Sequence, residues 1–222
     1  MKNILIVAPH PDDEVLGCGG IIGKYTKAGN DVYVLVITRG NPKLYAEDRI
    51  DNVRREALAA HKLLGVKETK FLDFFAPQLD VTPQADLSRA ISEFIKDQKI
   101  EEIYLPHRGD IHHDHRAVFN AGLVAARPVN GCMVKSIFSY ETLSETEWAA
   151  PFGDDAFIPN HFVNIESEFD DKILAMSSFK SQLKPFPNTR SVEAIEALAK
   201  FRGATVGFMR AEAFMVIRTI ED

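Results

Sequence analysis

Short apolar runs alternate with longer stretches of helical spacing along most of the chain. Residues 4–8 and 32–38 are almost unbroken apolar segments rich in branched side chains, the pattern of strands buried on both faces. Residues 70–74 and 102–105 read as two further strands. Helices are predicted between them over 13–28, 47–64 and 84–97, the first two closed by Gly29-Asn30 and Gly65. In the third, Leu87, Ile91, Phe94 and Ile95 form one apolar stripe. A fourth helix is expected over 116–127 and a fifth strand over 134–140, followed by an acidic, aromatic loop to residue 155. A short strand over 162–165, helices over 167–178 and 192–201, and an edge or final strand over 213–218 complete the pattern. Alternation of this kind predicts an α/β fold, a Rossmann-like three-layer sandwich with a mostly parallel sheet and helices on both faces. One domain is expected across residues 1–222.

Composition adds exclusions. A chain with 45% apolar and 26% charged residues is an ordinary soluble globular protein. Its net charge of -6 argues against a general nucleic-acid binder, which needs clustered Lys and Arg for phosphate contacts. The two cysteines, Cys18 and Cys132, make no CxxC pair, and the opening apolar run is too short for a secretory core. Reduced thiols in a cytoplasmic protein are expected. No segment has membrane-spanning length, so membrane insertion is not expected.

Chemistry concentrates in two places. His10-Pro11-Asp12-Asp13-Glu14 sits at the carboxyl end of the first predicted strand, where Pro11 stops the strand and the aspartates open the next helix. Packed carboxylates repel one another and cost free energy when desolvated, and a cation relieves both. The second place is residues 106–115, which hold four of the seven histidines: His107, His112, His113 and His115. In a doubly wound sheet the first and fourth strands lie side by side, and the crevice opens at their carboxyl ends. Topology therefore brings the two clusters face to face.

There, His10 and Asp13 can ligate one ion, and one further imidazole completes three N/O ligands with a position left for water. This is the arrangement of catalytic rather than structural zinc. Asp12, left over from ligation, is placed to take a proton from that water. The plainer readings are a capping Asp12-Asp13 pair and surface histidines, His107 foremost among them. Gly17, Gly19, Gly20 and Gly23 suggest instead a non-catalytic nucleotide-binding module, but the GxGxxG register fails at Ile22 and a pyrophosphate would meet three carboxylates. Close packing of the first helix on the sheet suits these glycines better.

With these residues in view, the chain resembles the LmbE-like, or PIG-L, family of zinc-dependent N-acetylglucosaminyl deacetylases. The likeness rests on Ala8-Pro9-His10-Pro11-Asp12-Asp13-Glu14, on His112-His113-Asp114-His115, and on weaker pieces such as Ser181-Gln182, Arg190-Ser191 and Arg202-Gly203. It implies that His10, Asp13 and His115 ligate Zn2+, with Asp12 as general base. It implies further that His112 protonates the leaving amine or stabilises the oxyanion, and that Asp114 orients and charges that imidazole. Iron suits the same ligands. The implied reaction is removal of acetyl from an N-acetylated amino sugar or its glycoconjugate. An amidase cleaving a larger acyl amide of an amino-sugar thiol conjugate is the alternative. The implied partner is a small sugar substrate, with no nucleic acid, and a homo-oligomer stays open. Departures from the family pattern fall at Arg39, where many relatives carry an aspartate, at Ala76, where an acidic residue is often expected, and at Arg54, whose register against Glu56 is shifted. Arg54 stays a candidate substrate contact.

Overall fold

The computed structural model describes residues 1–221. Its elements are β1 (Asn3–Ala8), α1 (Asp13–Lys27), β2 (Asp31–Gly40), α2 (Glu47–Leu64), β3 (Glu68–Ala76), α3 (Gln84–Asp97), β4 (Glu102–Pro106), α4 (His113–Ala125), β5 (Ser136–Tyr140), β6 (His161–Asn164), α5 (Phe169–Met176), α6 (Val192–Ala204) and β7 (Ala211–Thr219). Seven strands form one sheet in the order β3-β2-β1-β4-β5-β7-β6. The first five pair in parallel, and β7 runs antiparallel to both β5 and β6.

The apolar runs acquire a simple meaning. Ile4, Ile6 and Ala8 of β1, with Val32, Val34 and Val36 of β2, enter a core shared with α1, α2, α5 and α6. The intervening Leu5 and Val7, with Tyr33, Leu35 and Ile37, enter a second core under α3 and α4. Both pleat faces are covered, so no polar alternation survives in these strands. The expected helices on both faces are present, and α2 and α3 have the predicted limits. Gly65 ends α2 in the left-handed conformation, at φ 76°.

Of the edge or final strand expected at the end of the chain, the second holds, and one further expectation needs correction. The last strand, β7, is not an edge: it pairs Tyr140 with Phe214 on one side and Phe162 with Ala213 on the other, leaving β6 at the edge. Its Ala211, Ala213 and Phe214 are buried. Helix α4 starts at His113, three residues before the predicted start. His112 is its N-cap, and the ring Nδ1 accepts the Asp114 N–H at 3.1 Å. A histidine in this role is poorly signalled by capping preferences, which favour Ser, Thr, Asp and Asn.

Helix α1 carries the first chemical cluster at its amino end and is fixed from several sides. A Cβ at Gly17 would collide with the Tyr140 ring, so that glycine does serve close packing on the sheet; Gly19 and Gly20 instead face Lys172 and Ile165. Lys172 and Glu212 form a buried ion pair at 2.6 Å. The ammonium also donates to Leu16 O at 2.8 Å, and the carboxylate accepts the Gly20 and Ile21 N–H groups, each at 2.8 Å. This pair therefore ties α1 to α5 and β7 at once. The buried charges are each hydrogen-bonded, as burial demands.

Candidate metal centre

Because β1 and β4 pair in parallel at the middle of the sheet, the loops that follow them open on the same side. The structure brings His10, Asp12, Asp13, His112, Asp114 and His115 together there. Ring centroids of His10 and His115 are 5.4 Å apart, and those of His10 and His112 are 4.5 Å apart. Asp12, Asp13, Asp114 and His115 are buried, while His10 and His112 are partly open to a cleft of about 590 Å³.

The turn between β1 and α1 is built with strain. Asp12 has φ 124° and ψ -28°, a conformation that costs a non-glycine residue about 1–3 kcal/mol. Glu14 holds it there, its Oε2 accepting the Asp12 N–H at 3.1 Å. The other Glu14 oxygen lies 2.8 Å from His61 Nε2, and His61 Nδ1 is 2.8 Å from Thr69 Oγ1. On the strand side, Thr38 donates to Pro9 O through both its N–H and its hydroxyl. Twisting the backbone at Asp12 lets Asp12 and Asp13 point in different directions.

Asp13 Oδ2 is the centre of the cluster. It accepts the His10 N–H at 2.8 Å and lies 3.2 Å from His10 Nδ1 and 3.3 Å from His115 Nε2. Asp13 Oδ1 and His115 Nε2 are buried without a hydrogen-bond partner. His115 Nδ1 is bound by Asp110 Oδ2 at 2.8 Å, and Asp110 Oδ1 accepts the Thr146 hydroxyl at 2.6 Å. With its proton on Nδ1, His115 turns a lone pair on Nε2 toward another acceptor. Buried acceptors left unsatisfied call for a positive charge beside them. His10, Asp13 and His115 offer ligand atoms within 4.8 Å of one another, a donor set that fits a divalent ion.

Charge balance points the same way. Burial alone would lower the pKa of His10, but the Asp114 and Asp13 carboxylates outweigh it and hold it up at about 9. His115 is likewise raised, by Asp13 and Asp110 against its own burial. Asp13 is held well below the usual carboxylate range, since the two imidazoles overcome the effect of burial. Without a metal, protons on the histidines take the cation's place.

Asp12 faces the cleft. Burial, opposed by Arg190 and reinforced by Asp13 and Glu14, raises its carboxyl to about 7. Arg190 reaches Asp12 Oδ2 at 3.1 Å, Ser144 Oγ at 2.6 Å and Gln182 Oε1 at 3.1 Å, with Glu145 3.6 Å away. Burial, and then the positive charge on His10, pull His112 down to about 4. Asp114 Oδ2 is 3.1 Å from His10 Nε2 and 4.0 Å from His112 Nδ1.

Other expected residues lie elsewhere. The Arg54 guanidinium donates to Leu72 O at 2.7 Å and Asp73 Oδ1 at 2.9 Å and covers the Phe71 ring, so it fastens α2 to β3. Arg49 and Arg55 line the cleft, as does Ala76, and Arg54 does not. Arg39 pairs with Glu47. His113 is exposed as a surface histidine should be, but His107 is buried, with its Nε2 2.9 Å from Asp155 O and its ring against Phe157. The loop after β5 covers it, which no local pattern signals. Asp110, Glu14, His61, Glu145 and Arg190 received no role from the sequence. Asp110 and Glu14 stood within the two clusters, whereas Arg190 is 178 residues from the carboxylate it holds.

Fold and site together define a class: a doubly wound α/β enzyme with a His/Asp cluster, fit to hold a metal ion, where the strand order reverses. Comparisons narrow the class. The crystal structure of the conserved protein TT1542 from Thermus thermophilus superposes with a TM-score of 0.80 over 100% of this chain and 97% of its own, at 23% identity. The uncharacterized deacetylase YaiS of Escherichia coli (strain K12) is 32% identical over 81% of this chain and 91% of its own length. The diacetylchitobiose deacetylase of Thermococcus kodakarensis is 27% identical over 82% of this chain and 70% of its own. The sequence model of the GlcNAc-PI de-N-acetylase family, PIG-L, matches residues 5–126. The chain belongs to the PIG-L family of deacetylases, hydrolases that act on amides. No helix among the described residues is long and apolar enough to cross a membrane.

Proposed function

We propose that the protein is a zinc-dependent N-deacetylase that hydrolyses the acetamide of an N-acetylated amino sugar or a glycoconjugate bearing one. The observation that carries this reading is the ligand set of His10, Asp13 and His115, with Asp13 Oδ1 and His115 Nε2 buried and unpartnered, beside the cleft-facing carboxylate of Asp12. The deacetylase from Thermococcus kodakarensis, named for a diacetylated chitobiose, supports the sugar substrate. The catalytic domain is taken to span residues 1–222, since the sheet runs on through β7 beyond the stretch matched by the family. The cytoplasm, which keeps Cys18 and Cys132 reduced, is its proposed compartment; both are free thiols.

His10, Asp13 and His115 would hold the ion. Zinc bound there supplies Lewis acidity, polarising the acetyl carbonyl and making water acidic enough to lose a proton near neutral pH. The chain's own groups do the rest. Asp12, whose carboxyl is raised by burial above the usual range in the metal-free protein, takes the proton from the attacking water and can return it to the leaving nitrogen. Arg190 fixes its orientation. His112 accepts the Asp114 N–H on Nδ1, so its own proton resides on Nε2, available to the oxyanion of the tetrahedral intermediate. The C–N bond then breaks, giving acetate and a free amine.

Metal analysis of the purified protein, with acetate release measured across a panel of N-acetyl amino sugars, tests the reading. Asp12→Asn is expected to lose about 10²–10⁴-fold in kcat, the usual contribution of general base catalysis. Full activity in that variant contradicts the role given to Asp12.

A further inference from the structure

The two histidines of the candidate centre are held alike. Each has one ring nitrogen near Asp13 Oδ2, His10 Nδ1 at 3.2 Å and His115 Nε2 at 3.3 Å. Each has its other nitrogen against a separate carboxylate, Asp114 for His10 at 3.1 Å and Asp110 for His115 at 2.8 Å. Both outer carboxylates are themselves anchored. Asp114 Oδ1 accepts the Leu79 N–H at 2.9 Å, and Asp110 Oδ1 accepts the Thr146 hydroxyl at 2.6 Å.

The histidine nearest to Asp114 in sequence cannot use that carboxylate in the same way. His112 Nδ1 already accepts the Asp114 backbone N–H at 3.1 Å, and its distance to Asp114 Oδ2 is 4.0 Å. An aspartate that orients and charges an imidazole must receive an N–H from it. On the Asp114 side His112 presents a lone pair, and His10 presents the N–H.

From this geometry, and resting on the metal reading above, we infer that Asp114 is a positioning residue for the metal ligand His10, paired with it as Asp110 is paired with His115, and that its carboxylate does not hydrogen-bond the His112 ring. Its carboxylate fixes the proton of His10 on Nε2, which leaves the lone pair of Nδ1, on the Asp13 side, free to ligate a metal. Outer carboxylates of this kind typically contribute about 10–100-fold in metal affinity.

The test is Zn2+ affinity, measured by chelator competition on the full chain. In Asp114→Asn the amide oxygen can keep the Leu79 N–H, while its NH₂ opposes the His10 N–H. The expected result is a Kd raised about 10–100-fold. Asp110→Asn should behave alike, and His112→Ala should stay within about threefold of the parent. Saturating zinc should then restore most of the kcat of Asp114→Asn and none of that of His112→Ala. Unchanged zinc affinity in Asp114→Asn, with the parent binding normally, overturns the assignment. Failure of the parent itself to bind zinc overturns the metal reading and the assignment together. Should Asp114→Asn not fold, ¹⁵N spectra of the zinc-loaded parent decide: the assignment requires protons on His10 Nε2 and on His112 Nε2. A proton on His112 Nδ1 refutes it.

Discussion

Replacing Glu14 by Ala tests how the catalytic turn is held. Glu14 is fully buried, accepts the Asp12 N–H at 3.1 Å and sits 2.8 Å from His61 Nε2. The truncation leaves two buried polar groups without partners, each costing about 1–3 kcal/mol. It also frees a backbone held at φ 124°, which relaxes by swinging the Asp12 carboxyl away from the cleft. The two lost partners together cost about 4 kcal/mol and the released strain returns about 2 kcal/mol, so the net loss is about 2 kcal/mol, a sizeable share of the roughly 5–15 kcal/mol that keeps a domain folded. Urea unfolding followed by circular dichroism measures it. Glu14→Gln is the internal control. Its carboxamide oxygen can accept the Asp12 N–H and its NH₂ can donate to His61, so its loss should stay under about 1 kcal/mol. At a temperature where all three proteins are folded, kcat should fall at least about tenfold in the Ala variant only, through misplacement of the base. A Glu14→Ala protein within about 0.5 kcal/mol of the parent would show that Glu14 does not brace the turn.

Gly17→Ala puts a methyl group into the Tyr140 ring, whose hydroxyl holds Val7 O at 2.8 Å, and should cost about 1–3 kcal/mol in thermal or urea unfolding. A neutral result would mean that α1 can lift off the sheet freely. Burial raises Glu145 to about 7, so between the usual carboxylate range and that value the folded protein binds more protons than the unfolded chain. Stability therefore falls as pH rises through this window. In chelator-treated protein, Glu145→Gln should lessen that slope, leaving the share due to Asp12, which burial also raises to about 7, and gain about 2 kcal/mol on the parent between pH 5 and pH 8. Parallel stability curves would contradict the burial of this carboxyl as its cause.

Most of the sheet was legible because β1 and β2 sit between two apolar layers and show it as continuous apolar runs. The meeting of the two clusters followed from strand order alone, since both lie at carboxyl ends of adjacent central strands. What escaped was long-range. His107 follows a proline in a polar stretch and has nothing local to bury it; the cover comes from Asp155 and Phe157. The place of β7 inside the sheet depends on pairing with β5 and β6, which its own pattern does not encode. Arg54 and Arg55 are neighbours of one type, and only the rotation of α2 decides that Arg54 turns to β3 while Arg55 lines the cleft. For Asp114, the resemblance implied His112 as partner; the turn at His112 presents the Asp114 backbone N–H to that ring, and the Asp114 carboxylate lies 3.1 Å from His10 Nε2.

The most direct test of the central claim is anomalous diffraction from crystals of the zinc-loaded protein, recorded on both sides of the zinc absorption edge. One peak is predicted, within bonding distance of His10 Nδ1, an Asp13 carboxylate oxygen and His115 Nε2, and it should vanish in His115→Ala. A fully loaded crystal with its peak elsewhere, or with the peak unchanged in that variant, would contradict the account.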